Sequence, residues 1–259
     1  MPPQQTAVES AFRHVRQSLI VVLVLLPLAC WIWVVAMARD MYGSMSGAAA
    51  WMMTVQWDAS RLVLLWAMWA AMMAAMMLPS AAPLILLYAR GMRNRASELH
   101  PARLIYAMAA GYVLVWSLFS VGATALQRAL SSWSLLTPMM ELGATWAAAG
   151  LLILAGVYQL TPLKAACLKS CQSPITFMTS HWREGASGAF RMGLRHGLHC
   201  LGCCWALMLL LFAGGVMNLV VILALTVWVA VEKLAPFGKQ SAWISGALLV
   251  GSGMWMLAR

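Results

Sequence analysis

Residues Ser18–Ala38 read SLIVVLVLLPLACWIWVVAMA, twenty-one residues without a charge. About 20 predominantly apolar residues in a helix cross a bilayer core about 30 Å thick. Arg13 and Arg16 precede the run, so its start resembles a secretory signal, and LPLAC resembles a lipoprotein cleavage site. Pro27 stands where such a site takes a small apolar residue, and the apolar run continues past Cys30 and Trp33 to Met37. The stretch is therefore expected to be an uncleaved membrane anchor.

The rest of the chain extends this reading. Of 259 residues, 63% are hydrophobic and 9% charged, and the mean hydropathy is +0.81. Soluble domains carry about 45–50% apolar and about 25% charged residues. The composition excludes a disordered chain, a collagen and a small secreted disulfide scaffold. Further spans are expected near Arg61–Tyr88, Arg103–Leu126, Gly143–Leu160, Gly193–Ala213, Val216–Val231 and Ala242–Leu257. Gly214, Gly215 and Asn218 would separate the fifth span from the sixth, and Pro236 with Gly238 the sixth from the seventh. The expected fold is all-α, a polytopic transmembrane helix bundle of about seven spans. A tail over residues 1–17 would precede a single helical domain, 18–259, with a Cys-containing loop at 161–195.

Charge orients this bundle. The net charge is +10, from 17 Lys and Arg against 7 Asp and Glu. Alternate loops hold most of the excess: Arg13 and Arg16; then Arg90, Arg93, Arg95 and Arg103 against Glu98; then Lys164, Lys169, Arg183, Arg191 and Arg195 against Glu184; then Lys233 and Lys239. The intervening loops are nearly balanced, with Arg39 and Arg61 against Asp40 and Asp58, then Arg128 against Glu141. Basic loops stay cytoplasmic, which puts the N-terminus inside and the C-terminus outside, as in a bacterial inner membrane. The basic excess then serves anionic membrane lipids rather than nucleic acid. Glu141, Glu232 and Asp58 fall near span ends, which argues against a proton-driven carrier. No phosphate-binding glycine loop or nucleophile elbow is visible.

Five of the six cysteines fall in two motifs, Cys167-Leu-Lys-Ser-Cys171 and His196-Gly-Leu-His199-Cys200-Leu-Gly-Cys203-Cys204-Trp205. At about 100° per residue, His196, His199, Cys200, Cys203 and Cys204 share an arc of roughly 140° on one helix face. Cys167 and Cys171, at i and i+4, share a face if that segment is helical. Gly193, Gly197 and Gly202 would let the two faces approach. A reducing cytoplasm favours thiols over disulfides. Lys164, Lys169 and Arg195 could favour the thiolate form. A buried cysteine also serves as a small hydrophobe, the role expected of Cys30. His14, His100 and His181 are expected to be solvated, His181 being the one near enough in sequence to join the cluster.

Met68, Met72 and Met76 lie at i, i+4 and i+8, with Met73 and Met77 on a neighbouring stripe, before Pro79 and Pro83. The prolines are expected to break or kink the helix. Methionine is an adaptable core filler, but this stripe ends on the cysteine side of the bundle. Thioether and thiolate together select soft ions, chiefly Cu(I), while thiolate and imidazole also suit Zn(II). The expected cofactor is a transition metal, with copper(I) favoured over zinc. Its candidate ligands are Cys167, Cys171, His196, His199, Cys200, Cys203 and Cys204, with Met72, Met73, Met76 and Met77 along a path into the membrane. Met41, Met45, Met52 and Met53 form a second group that could take up metal outside.

At Met72–Pro83, Cys167–Cys171 and His196–Trp205 the sequence resembles a bacterial family of integral membrane proteins, the domain of unknown function 2182. That resemblance implies metal binding, with no reaction or metal assigned. A metal chaperone or membrane complex would be the partner. The enzymatic alternative is a membrane thiol-disulfide oxidoreductase using Cys167/Cys171 and Cys203/Cys204. Haem ligation by the histidines and a scaffold or assembly subunit are the remaining readings.

Overall fold

A computed structural model describes residues 13–43, 58–93, 101–137 and 139–259. Met45, Met52, Met53, Arg95, Glu98, His100 and most of the N-terminal tail lie outside these residues. Within them the chain is helical, and the lone β-type pairing is an isolated bridge between Leu136 and Leu142.

Helix α1 covers Arg13–Tyr42. Its turn at Val21–Leu25 is a π-helix, just before Pro27, whose ring needs room and whose missing N–H breaks the regular ladder. Helix α2 runs over Ala59–Arg93 and passes unbroken through Pro79 and Pro83. Of the break or kink expected at these prolines, the break is absent. The Met77 carbonyl accepts from Ser80 Oγ at 2.8 Å and from Tyr112 Oη at 2.9 Å. Helix α3 is Pro101–Ser132.

Helix α4, Thr145–Gln159, and helix α5, Pro162–Gln172, are bent by 64° at the break between them. Thr161 caps α5 by accepting from the Lys164 amide, and Pro162 follows at the first helical position, where its missing N–H costs nothing. Helix α6 is Pro174–His181, and α7 is Gly185–Leu209, continued by a short turn to Gly214. The connection read as 161–195 is thus largely helical. Gly215, at φ +92°, turns the chain, and Asn218 caps α8, Leu219–Leu234, by accepting from Val220 and Val221 amides. Helix α9 is Gly238–Leu257. The Gly215–Asn218 and Pro236–Gly238 breaks fall where the sequence places them.

Among the described residues, four helices are long and apolar enough to cross a membrane: α1, α2, α3 and α7 with its extension. The bent pair α4–α5 makes five if counted as one span. Helices α8 and α9, with 16 and 20 residues, stand where the last two spans were expected but are not among these.

Helix α3 lies along α7, α2 packs on α3 and α1, and α9 packs on α4. A Cβ on Gly193 would overlap the Met108 carbonyl of α3, so small residues set the α3–α7 spacing. One end of the bundle is plugged by Trp69 and Phe212, with ring centroids 5.2 Å apart. There Trp69 Nε1 donates to Gln127 Oε1 at 2.7 Å. The other end gathers the last turns of α2 and α8, the first turns of α3, and α5, α6 and the N-terminal half of α7. Cys167 and Cys171 lie on α5 at this end, whereas Cys200, Cys203 and Cys204 lie just past the middle of α7, level with Met77 near the middle of α2.

Candidate metal centre

Three helices bring the cysteines together. Helix α7 buries Cys200, Cys203 and Cys204 on the face predicted for them. Helix α5 lays Cys167 and Cys171 against that face, and the Cys171 and Cys203 sulfurs stand 4.0 Å apart. Gly202 makes this possible: a Cβ there would lie 2.7 Å from Cys167 Sγ. Tyr158 Oη donates to the Gly202 carbonyl, tying α4 to the same turn. All six cysteines are free thiols.

The third helix is α2. Met77 Sδ lies 4.0 Å from Cys204 Sγ. Met72, Met73 and Met76 are buried in the bundle core, as Met77 is. Met41, from the outer group, is buried on α1. Cys203 and Cys204 turn their thiols back to the Cys200 carbonyl at 3.1 and 3.0 Å. Tyr112 Oη lies 2.9 Å from Cys200 Sγ.

Imidazoles border the cluster on its α6 side. His196 is buried, one turn before Cys200, and its Nδ1 has no hydrogen-bond partner. Its ring stacks on Tyr112 at 5.7 Å and meets the edge of Phe177 at 5.3 Å. His181 stacks on Phe177 from another side at 4.6 Å, so it does join the neighbourhood. His199 is half-exposed, and its Nδ1 is engaged with the Arg195 carbonyl at 2.7 Å.

The basic residues are arranged differently from expectation. Lys169 and Arg195 are exposed. Lys164 is buried, but it pairs with Glu232 Oε2 at 2.5 Å and also donates to Gln159. Glu232 is completed by Gln159 Nε2 at 2.7 Å and Trp228 Nε1 at 2.9 Å. The cation at the sulfurs is Lys233, which reading by loops assigns to the chain after span six. Its Nζ donates to Cys200 Sγ at 2.9 Å and lies 3.7 Å from Cys204 Sγ, 3.6 Å from Met77 Sδ and 3.4 Å from Ser80 Oγ. The available signal was a Glu232-Lys233 pair closing an otherwise uncharged helix. Adjacent residues leave a helix about 100° apart, so the two charges face different neighbours.

Among the described residues, no three His, Cys, Asp or Glu side chains form a group ready to hold a metal ion. Sulfur from both Cys and Met suits a soft ion, and the orphaned His196 nitrogen is a further donor atom without a protein partner.

The PpoB2 family, described as a copper chaperone, matches residues 66–256. The chain belongs to this family. No curated protein and no solved structure matches it. The family match begins inside α2 and ends near the close of α9, so it contains all eleven candidate ligands and Lys233 but leaves out α1. It supports a copper-related assignment. The match is to PpoB2 and does not bear the name of the uncharacterised family that the motifs resemble.

Proposed function

We propose that the protein is a multi-pass protein of the bacterial inner membrane, with about seven spans and a cytoplasmic N-terminus. In this reading it holds Cu(I) near the cytoplasmic face and passes it to a client. Cys200, Cys204 and Met77 are the first ligands, with Cys171 and Cys203 as a neighbouring sulfur pair. Cys167, His196 and His199 flank them, and Met72, Met73 and Met76 extend the methionine stripe away from the cluster. The observation that carries this is the meeting of a buried thioether and a buried thiol from α2 and α7, 4.0 Å apart, beside Cys200. Copper is the cargo, and the chain's own work is to offer soft ligands away from water and oxidant. Thiolates bind the ion more strongly than thiols do.

The test is anaerobic Cu(I) titration of the purified, reduced protein against a chromogenic chelator. Wild type is expected to retain Cu(I) through the competition, and Cys200→Ser with Cys204→Ser to lose it. A wild-type protein that binds no Cu(I), or a double variant that binds it as well as wild type, overturns the reading.

The Cys171–Cys203 approach favours one other reading, a thiol-disulfide exchange pair, since a small movement would bring these sulfurs to bonding distance. Thiol labelling separates the two. Labelling that increases after a reductant supports exchange, whereas labelling unchanged by reductant but blocked by Cu(I) supports metal binding.

A further inference from the structure

Lys233 is the feature that the copper reading leaves unused. Its ammonium nitrogen sits among Cys200 Sγ, Cys204 Sγ and Met77 Sδ, at 2.9 to 3.7 Å, with Ser80 Oγ closing the fourth side. The side chain is buried. A charge inside a helix bundle is retained where specific partners compensate its desolvation. The carboxylate next to it in sequence, Glu232, is engaged with Lys164 on another side of α8. The partners of Lys233 are therefore the sulfurs themselves, together with the hydroxyl of Ser80.

We propose that Lys233 is a resident stand-in for the ion, filling the sulfur cup until Cu(I) displaces its ammonium. This rests on the copper reading above and deepens it. Three sulfurs that surround one cation can surround another of the same charge. As long as the thiols keep the same protons, exchange of a monovalent ammonium for monovalent Cu(I) leaves the charge of the buried cup unchanged. A divalent ion would add an uncompensated charge in the bundle interior, which is costly. The cup thus selects by charge as well as by softness.

The displaced ammonium has somewhere to go. Lys233 lies in the last turn of α8, which ends at Leu234. A four-carbon stem there can carry the head group out past the helix end toward water. The unpaired carbonyls of that end attract a cation. Loading would therefore change the bundle end at α8, where Gln172 of α5 also binds the Glu232 carbonyl at 2.7 Å.

The experiment uses the full-length protein in detergent, reduced and anaerobic. It is loaded with Cu(I), with Ag(I) or with Zn(II), then treated with an amine-acetylating ester. Acetylation of Lys233 is read by mass spectrometry, with exposed Lys169 and Lys239 as internal standards. Lys233 acetylation is expected to rise several-fold with Cu(I) or Ag(I) and to stay at the apo level with Zn(II). Lys233→Leu, freed of the competing cation, is expected to bind Cu(I) about ten- to hundredfold tighter, the worth of a charge-assisted hydrogen bond. Lys233→Arg, which keeps a cation in place, is expected to gain no such affinity. Bound Cu(I) with unchanged Lys233 acetylation overturns the displacement and leaves the copper site standing. No Cu(I) bound by wild type overturns both. The labelling arm needs no variant, so misfolding of Lys233→Leu would not remove the test.

Discussion

At the scale of single residues, the methionine stripe separates into two roles. Met72, Met73, Met76 and Met77 are indistinguishable by composition and equally buried, yet Met77 is the one placed against Cys204 and Lys233. Replacing Met by Leu conserves volume and usually costs under about 1.5 kcal/mol. Met77→Leu is therefore expected to fold but to lose about tenfold or more in Cu(I) affinity, on the scale of even outer-sphere partners at metal sites. Met73→Leu is expected to titrate like wild type. Equal losses in both would make the stripe a packing feature. The grouping of the α7 thiols was legible in the sequence because they share one helix face. Lys233 was not, because its meaning depends on what α2 and α7 place beside it.

At the scale of elements, the α5–α7 contact depends on the missing side chain of Gly202. Gly202→Ala would push a methyl into Cys167 Sγ, 2.7 Å from the new atom. Overpacking of this kind costs about 1–3 kcal/mol and is expected to lower the thermal midpoint in detergent. Adding Cys167→Ala removes the clash and should restore much of the loss. If the double variant is no better than the single, Cys167 is not what Gly202 accommodates. Lys164 and Glu232 join α5 to α8 in the same way. Lys164→Met would strand a buried carboxylate, a loss of about 3–5 kcal/mol in comparable buried pairs, whereas replacing both partners by apolar groups is expected to recover most of it. Thermal unfolding of the single and double variants checks this. The sequence reads as a loop over 161–195, although Thr161-Pro162 is a helix-start signal, and the partner of Lys164 was hidden because Glu232 is distant in the chain.

At the scale of the whole molecule, the ends of the helices agree with the alternation of loop charge. The end of α2 at Gly91, next to Arg90, meets Trp182, next to Arg183, and α5 with Lys164 and Lys169 packs on α7 and α8 on this side, while Trp69, Gln127 and Phe212 pack together on the other. In the proposed orientation the cysteine end is cytoplasmic. Single cysteines placed in a cysteine-free background at Lys169 and at Ser131 should label from opposite sides of sealed vesicles. Labelling of both from one side, or of Lys169 from the periplasmic side, would reverse or break that orientation. The membrane-impermeant reagent decides it without reference to copper.

The sequence by itself determined the helical class, most of the breaks between helices and the face on which the thiols lie. These are local properties, set by apolar run length, by caps and prolines, and by the 3.6-residue period. The tertiary structure decided which methionine meets the thiols, which lysine accompanies them and which carboxylate holds the other lysine. Those are pairings between residues tens to more than a hundred positions apart. They depend on how closely helices approach and how each is rotated, and no local pattern encodes that rotation. Charge at the end of an apolar run can snorkel to water or turn inward to a partner. For Lys233 the packing of α2, α7 and α8 turned it inward, onto sulfur.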